Sequence, residues 1–326
     1  MINPIYANAR AKSLEKFLLG KEKYQRMIDC DSADEAIKIL SEVNFGGGVL
    51  ISSPAEFENL IDAEEDKLFE FIKTGCPFDD LKNFILLKND FRNAEAYVRA
   101  KYLKIDGDTM TVKDGLFAKN DLKDKIFADD YGGLPDSLSK ALLQADVEFV
   151  EKRASGESIN NLFSKALFAE LKQVTLKDKY LKDIFSTNAD CINVSIAFRT
   201  RDYSVAKTAF VDGGTLSDSQ LRILCEEPFE SLKEKIKGFK HSDYLNVAIE
   251  SACKHAPLSE FERLYQSYQV SLLKKDRFIN EGVAPFALYC FYKLADLANV
   301  RIIMTGLINK LDKAQIKDRL RDGYEG

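Results

Sequence analysis

The amino-acid sequence predicts an all-α fold made of three related helical units. Three observations carry this expectation. Helix-start signals followed by apolar residues three and four apart recur along the chain, and period-two alternation is nearly absent. The tetrapeptide Asp-x-x-Asn also returns about every hundred residues within one and the same apolar stripe.

In chain order, the first clear start is Ser32-Ala33-Asp34-Glu35, a capping box in which a hydroxyl and a carboxylate satisfy free backbone donors; it opens "AIKILSEV". "GGGVLISSP" (Gly46 to Pro54) is the one stretch that reads as a short strand, and its leading glycines read as a flexible turn. Ser53-Pro54-Ala55-Glu56 joins a second box to a proline at the first helical position and leads into "EFENLIDAEEDKLFEFIK". Within that helix Glu64 and Glu65 read as the wet face. "NDFRNAEAYVRAK" (Asn89 to Lys101) also reads as helix, although Asp90 and Asn93 are residue types that helix interiors disfavour. "KIDGDTM" (Lys104 to Met110) and "VDGGTLSD" (Val211 to Asp218) carry the punctuation of surface turns. Ser259-Glu260-Phe261-Glu262 opens "RLYQSYQVSLL", and the aromatic group "LYCFYKL" (Leu288 to Leu294) reads as core.

The polar pair repeats. Asp90/Asn93, Asp190/Asn193 and Asp296/Asn299 start 100 and 106 residues apart. Positions one, four, seven and eight after each Asp are apolar: Phe91, Ala94, Tyr97, Val98; Cys191, Val194, Ala197, Phe198; Leu297, Val300, Ile303, Met304. At the chain's 45% hydrophobic content the chance of that coincidence is on the order of one in ten thousand before allowing for choice of frame. Asp80/Asn83 and Asp243/Asn246 break both the spacing and the stripe. A second element runs in step: Arg10-Ala11-Lys12, Arg99-Ala100-Lys101 and Arg199-Thr200-Arg201 each precede a compact amphipathic helix, near Gly20, Lys119 and Leu216. These repeats set units at 1–105, 106–206 and 207–326, each a short helical hairpin followed by a longer one. At 100° per residue each pair shares one helical face, and Arg99 or Arg199 falls on about the opposite one, with Thr305 departing from the pattern. The pairs are therefore read as capping or hydrogen-bonding a neighbouring helix.

Composition excludes several functions. A net charge of −5 argues against a protein built to neutralise a phosphate backbone, so no nucleic acid is expected. The six cysteines, Cys30, Cys76, Cys191, Cys225, Cys253 and Cys290, form no Cys-x-x-Cys pair and read as reduced, mostly buried thiols. His241 and His255 lack metal-ligand spacing and read as surface residues. The three glycines at 46–48 lack the Gly-Lys-Ser/Thr of a phosphate loop, and no nucleophile meets a base. No catalytic residue, metal or cofactor is expected. The N-terminal stretch lacks a signal-type core, and the longest apolar run, "VAPFALYCFY", stops at Lys293, so a cytoplasmic protein is expected.

"YANARAKSLEKFLLGKEKYQRMI" (Tyr6 to Ile28) and "LKNDFRNAEAYVRAKYL" (Leu87 to Leu103) resemble the N-terminal helix and first-unit signature of the C subunit of V-type and A-type ATPases or ATP synthases, known as the d subunit in eukaryotes. The resemblance extends over essentially the whole chain. It implies a funnel of three pseudo-symmetric helical units, a mechanical coupler with no active site. Its implied partners are the central stalk subunits and the membrane proteolipid ring, and its membrane contact is indirect, through the ring at the cytoplasmic face. On that reading Arg10, Arg99, Lys101, Arg199 and Arg201 are candidates for inter-unit or stalk contacts. The helix starts at Lys21, Asn120 and Ser217 are candidates for meeting the ring, because a helix N-terminus offers backbone donors and positive dipole. The alternative is a helical repeat scaffold for another complex.

Overall fold

A computed structural model describes residues 2–325. The described residues form α-helices joined by turns and three short 3-10 segments, with no strand among them, so the fold class is all-α as expected. The chain divides into two compact units, Met1–Phe78 with Glu262–Gly326, and Asp79–Phe261.

The first unit opens with α1 (Pro4–Leu14), α2 (Gly20–Asp29), α3 (Ala33–Glu42) and α4 (Phe57–Gly75). The second unit is α5 (Asp79–Leu103), α6 (Lys119–Phe127), α7 (Asp136–Val150), α8 (Gly156–Val174), α9 (Lys179–Thr200), α10 (Tyr203–Ala209), α11 (Asp218–Glu226), α12 (Phe229–Lys235) and α13 (Ser242–Cys253). The chain then passes through α14 (Ser259–Lys274) back to the first unit, which ends with α15 (Ala284–Ile308) and α16 (Lys313–Asp318).

Each unit is organised about a long helix. In the first, α15 packs against α1, α2, α3, α4 and α16. Its near-continuous apolar sequence is what such a position demands, since a helix covered on all sides has no solvent face to mark with charge. In the second, α5 packs against α6, α7, α8 and α9. Phe84, Phe91 and Tyr97 on α5, and Phe286 on α15, are among the side chains buried in these cores.

Four local expectations are corrected. Gly46, Gly47 and Gly48 take φ of 86°, 61° and 86°. That left-handed backbone is the turn expected of them, which glycine enters without a Cβ penalty, but the stretch from there to Pro54 forms no strand. Ser53 makes no side-chain cap. The Glu56 carboxylate instead accepts from Ser52 N–H and Oγ at 2.9 and 2.6 Å, and a 3-10 turn, Pro54–Glu56, precedes α4. Glu64 is buried, not on the wet face. It accepts from Lys293 Nζ on α15 at 2.6 Å, from Lys67 Nζ at 2.6 Å and from Gly46 N–H at 3.0 Å. His241 is half-buried and stacks on Tyr244, whereas His255 is exposed. The Ser32 box holds in part: Glu35 N–H donates to Ser32 Oγ at 3.3 Å, while the Glu35 carboxylate accepts from Asp31 N–H at 3.0 Å. Of the free cysteines, Cys76, Cys225 and Cys290 are buried and Cys253 is exposed.

Candidate functional site

The three Asp-x-x-Asn pairs lie on α5, α9 and α15, and all six residues are buried. One turn apart on a helix, each Asp and Asn present acceptors and donors to the same neighbour. That neighbour is the backbone of a loop leading into a short helix, rather than the neighbouring helix itself.

On α5, the Asp90 carboxylate accepts from Leu116 and Phe117 N–H at 2.8 and 3.1 Å, directly ahead of α6. Asn93 accepts from Val112 N–H at 2.8 Å and donates to Lys113 C=O at 3.1 Å. On α9, Asp190 accepts from Thr215 N–H, Thr215 Oγ1 and Leu216 N–H at 2.8, 2.6 and 3.0 Å, directly ahead of α11. Asn193 clasps Val211 by both its N–H and its C=O, each at 2.9 Å. Close approach is possible because the loops carry glycine there. A Cβ on Gly115 would sit 2.2 Å from Asp90 Oδ1, and one on Gly214 would sit 2.3 Å from Asp190 Oδ1.

The third pair builds the same arrangement from the two ends of the chain. Asp296 accepts from Leu19 N–H at 3.0 Å, at the start of α2, and from Tyr24 Oη. Asn299 clasps Arg321 by its N–H at 2.8 Å and its C=O at 3.0 Å. A single covalent loop is thus replaced by an N-terminal and a C-terminal strand of chain.

The opposite ends of the same short helices carry cations. Lys101 Nζ donates to Ile126 C=O in the last turn of α6 at 3.1 Å and pairs with Asp129. Arg201 donates to Leu224 C=O in the last turn of α11 at 2.5 Å and to Glu227 C=O. At the matching step α15 has Leu307, and Lys313 from α16 instead donates to Asp29 C=O, the last residue of α2, at 2.7 Å. Thr305 likewise stands where α5 and α9 carry Arg99 and Arg199, so α15 lacks both basic residues of this turn. A Cβ on Gly306 would meet Ile316 Cδ1 at 2.6 Å, so glycine is what lets α16 seat against α15 and deliver Lys313. Each short helix therefore has a carboxylate at its positive end and a cation at its negative end, both favourable to its dipole.

The remaining predicted residues do not converge. Arg10 lies over the Phe71 ring, 5.1 Å from its centroid. Arg99 pairs with Glu95 at 2.5 Å and donates to Gly156 C=O at 2.9 Å. Arg199 and Asn120 are exposed, and Lys21 pairs with Glu325. Ser217 caps α11 in a reciprocal box with Gln220 at 3.3 and 2.8 Å, so its donors are already engaged. Sequence reasoning missed Tyr24, Gly115, Gly214, Lys313 and the Glu64–Lys293 pair. The glycines 25 and 24 residues after Asp90 and Asp190 were the available signal.

Burial pushes the Asp296 carboxyl up to about 6 against the opposing pull of Lys293, the Tyr24 hydroxyl and Leu19 N–H. The native state therefore holds a proton that the unfolded chain releases near pH 4, and stability falls as pH rises from about 4 to about 6. Asp296→Asn is expected to remove this fall, on the order of 2 kcal/mol. Urea midpoints of wild type and variant across that window check it, and parallel curves would exclude it.

Among the described residues no cluster of His, Cys, Asp or Glu is arranged to hold a metal, and no helix is long and apolar enough to cross a membrane. Compared with known proteins, residues 7–319 match the family model described as ATP synthase (C/AC39) subunit. The chain is also similar to the C subunit of the V-type sodium ATPase of Enterococcus hirae, at 22% identity over 331 aligned positions covering 99% of this chain and 98% of the relative.

Proposed function

Because the chain belongs to the ATP synthase (C/AC39) subunit family, we propose that it is the non-catalytic central-axis subunit of a V/A-type rotary ATPase or ATP synthase. In this reading it couples the rotating central stalk to the membrane proteolipid ring, and so serves proton or sodium ion transport. It sits at the cytoplasmic face, with its membrane contact made through the ring. The observation that carries the proposal is the family match over residues 7–319, nearly the whole chain. The relative's own name, which places it in a sodium ATPase, supports membership of such a machine.

A coupler must transmit torque without slip, which calls for short elements fixed at both ends rather than for one reactive side chain. The three bonded pairs suit that demand, because each ties a loop to a long helix by up to five hydrogen bonds and leaves the following short helix little freedom. The coupler would be built of three units, 1–105, 106–206 and 207–326, set as a funnel. The bonded pairs would then act across unit boundaries, since Asp90 reaches Leu116 and Asp190 reaches Thr215. Exposed Arg199 and Asn120 are the candidates for partner contact in this scheme.

The test is purification of the tagged chain from gently solubilised native membranes, with co-purifying proteins identified by mass spectrometry. A small hydrophobic proteolipid together with stalk subunits is the expected recovery. Reproducible recovery of unrelated soluble partners alone would overturn the coupler and favour a helical scaffold.

A further inference from the structure

A cavity of about 470 Å³ lies within the first unit, among α1, α4, α15 and the turn that follows α3. Its charges are unequally matched. The buried Glu64 carboxylate serves two ammonium groups, Lys293 and Lys67, one on each oxygen. Arg10 also lines the cavity, and among the described residues no carboxylate lies within ion-pair distance of it. The other acid of the lining, Glu70, is exposed to solvent. Three cations thus face two carboxylates, of which one is buried. The rest of the wall is largely apolar and aromatic, with Phe17, Phe45, Phe71 and Tyr289 contributing rings.

We propose that this cavity binds a small amphipathic monoanion, an aromatic or acyl carboxylate, with its charged end on Arg10 and Lys67 and its apolar body against Phe71 and Tyr289. The volume falls within the range that small-molecule sites occupy, and the composition matches them: an apolar wall with a few convergent polar groups. Arginine's planar fork receives a carboxylate through two parallel hydrogen bonds, and Arg10 already lies over one of the rings that would flank the ligand. An amine is disfavoured because Glu64 already accepts from Lys293, Lys67 and Gly46 N–H. A polyanion is disfavoured because the surplus is a single positive charge. A neutral ligand would cover Arg10 without a charge to compensate the guanidinium, which desolvation penalises.

The proposal is independent of the coupling role and is tested on the purified full-length chain by isothermal titration calorimetry. The probes are decanoate and phenylacetate, with decanol and 2-phenylethanol as their uncharged counterparts. Saturable one-to-one binding of at least one carboxylate is expected, weaker by about tenfold or more for the matching alcohol. The difference between decanoate and phenylacetate tells an acyl body from an aromatic one. Arg10→Gln/Lys67→Gln, two changes at exposed side chains, is expected to weaken carboxylate binding by about tenfold with helical circular dichroism unchanged. Absence of saturable binding by either acid, equal binding of acid and alcohol, or undiminished binding in the double variant would each overturn it.

Discussion

Asp190→Ala/Asn193→Ala is expected to lower the stability of the second unit by about 3–5 kcal/mol. The size follows from what the two side chains satisfy. Val211 is buried, and both its N–H and its C=O are bonded to Asn193 alone among the side chains. Thr215 and Leu216 N–H are bonded to Asp190. A buried backbone group left unpaired loses about 1–3 kcal/mol; the two buried groups of Val211 carry most of the loss, and the part-buried N–H groups of Thr215 and Leu216, which water can reach, add less. Asn83→Ala is the control, since Asn83 belongs to an off-spacing Asp-x-x-Asn and makes no side-chain hydrogen bond among the described residues. It should move stability by no more than about 0.5 kcal/mol. Urea unfolding followed by circular dichroism compares the three proteins. A double variant indistinguishable from the control would remove the structural role of the pair.

That experiment also measures how far the sequence could be read. The repeat of Asp-x-x-Asn on a constant apolar stripe located the bonded pairs, because helical periodicity is a property of the pairs' own helices. Their partners were not legible. Val112, Val211, Thr215 and Arg321 are engaged mainly through backbone atoms, and a backbone N–H carries no residue identity. The third pair is harder still, since its acceptors meet chain near residue 19 and chain at residue 321, and nothing local links the two. Glu64 was misread for a different reason. It lies three residues after Ile61 and four before Leu68, on the buried stripe of α4, but its acidic neighbours in "DAEEDK" suggest solvent. Its partner Lys293 has the mirror-image signature, one cation inside an apolar run. Either residue alone is an exception to a pattern; together they are a pair.

Glu64→Ala is accordingly expected to destabilise the first unit by about 3–5 kcal/mol, because it leaves the Lys293 ammonium buried without its carboxylate. Glu64→Leu/Lys293→Met, which replaces both charges by apolar groups, should stand much closer to wild type, since a buried pair's desolvation offsets most of its attraction. Burial raises the Glu64 carboxyl, but Lys293 and then Lys67 outweigh it, and the net shift is downward. A carboxylate with a lowered folded pKa contributes stability that is present above its unfolded value, about 4.3, and is lost as pH falls through the folded one. Through Glu64 the wild type should therefore lose ground to the double variant only below about pH 4; above it their difference should change only through Asp296, whose carboxyl rises further once Lys293 is gone, at the double variant's expense. Urea midpoints of the three proteins between acid and neutral pH check both parts. If the single and double variants were equally unstable, the loss would come from packing around α4 and α15. A single variant far below the double one would locate it in the uncompensated charge.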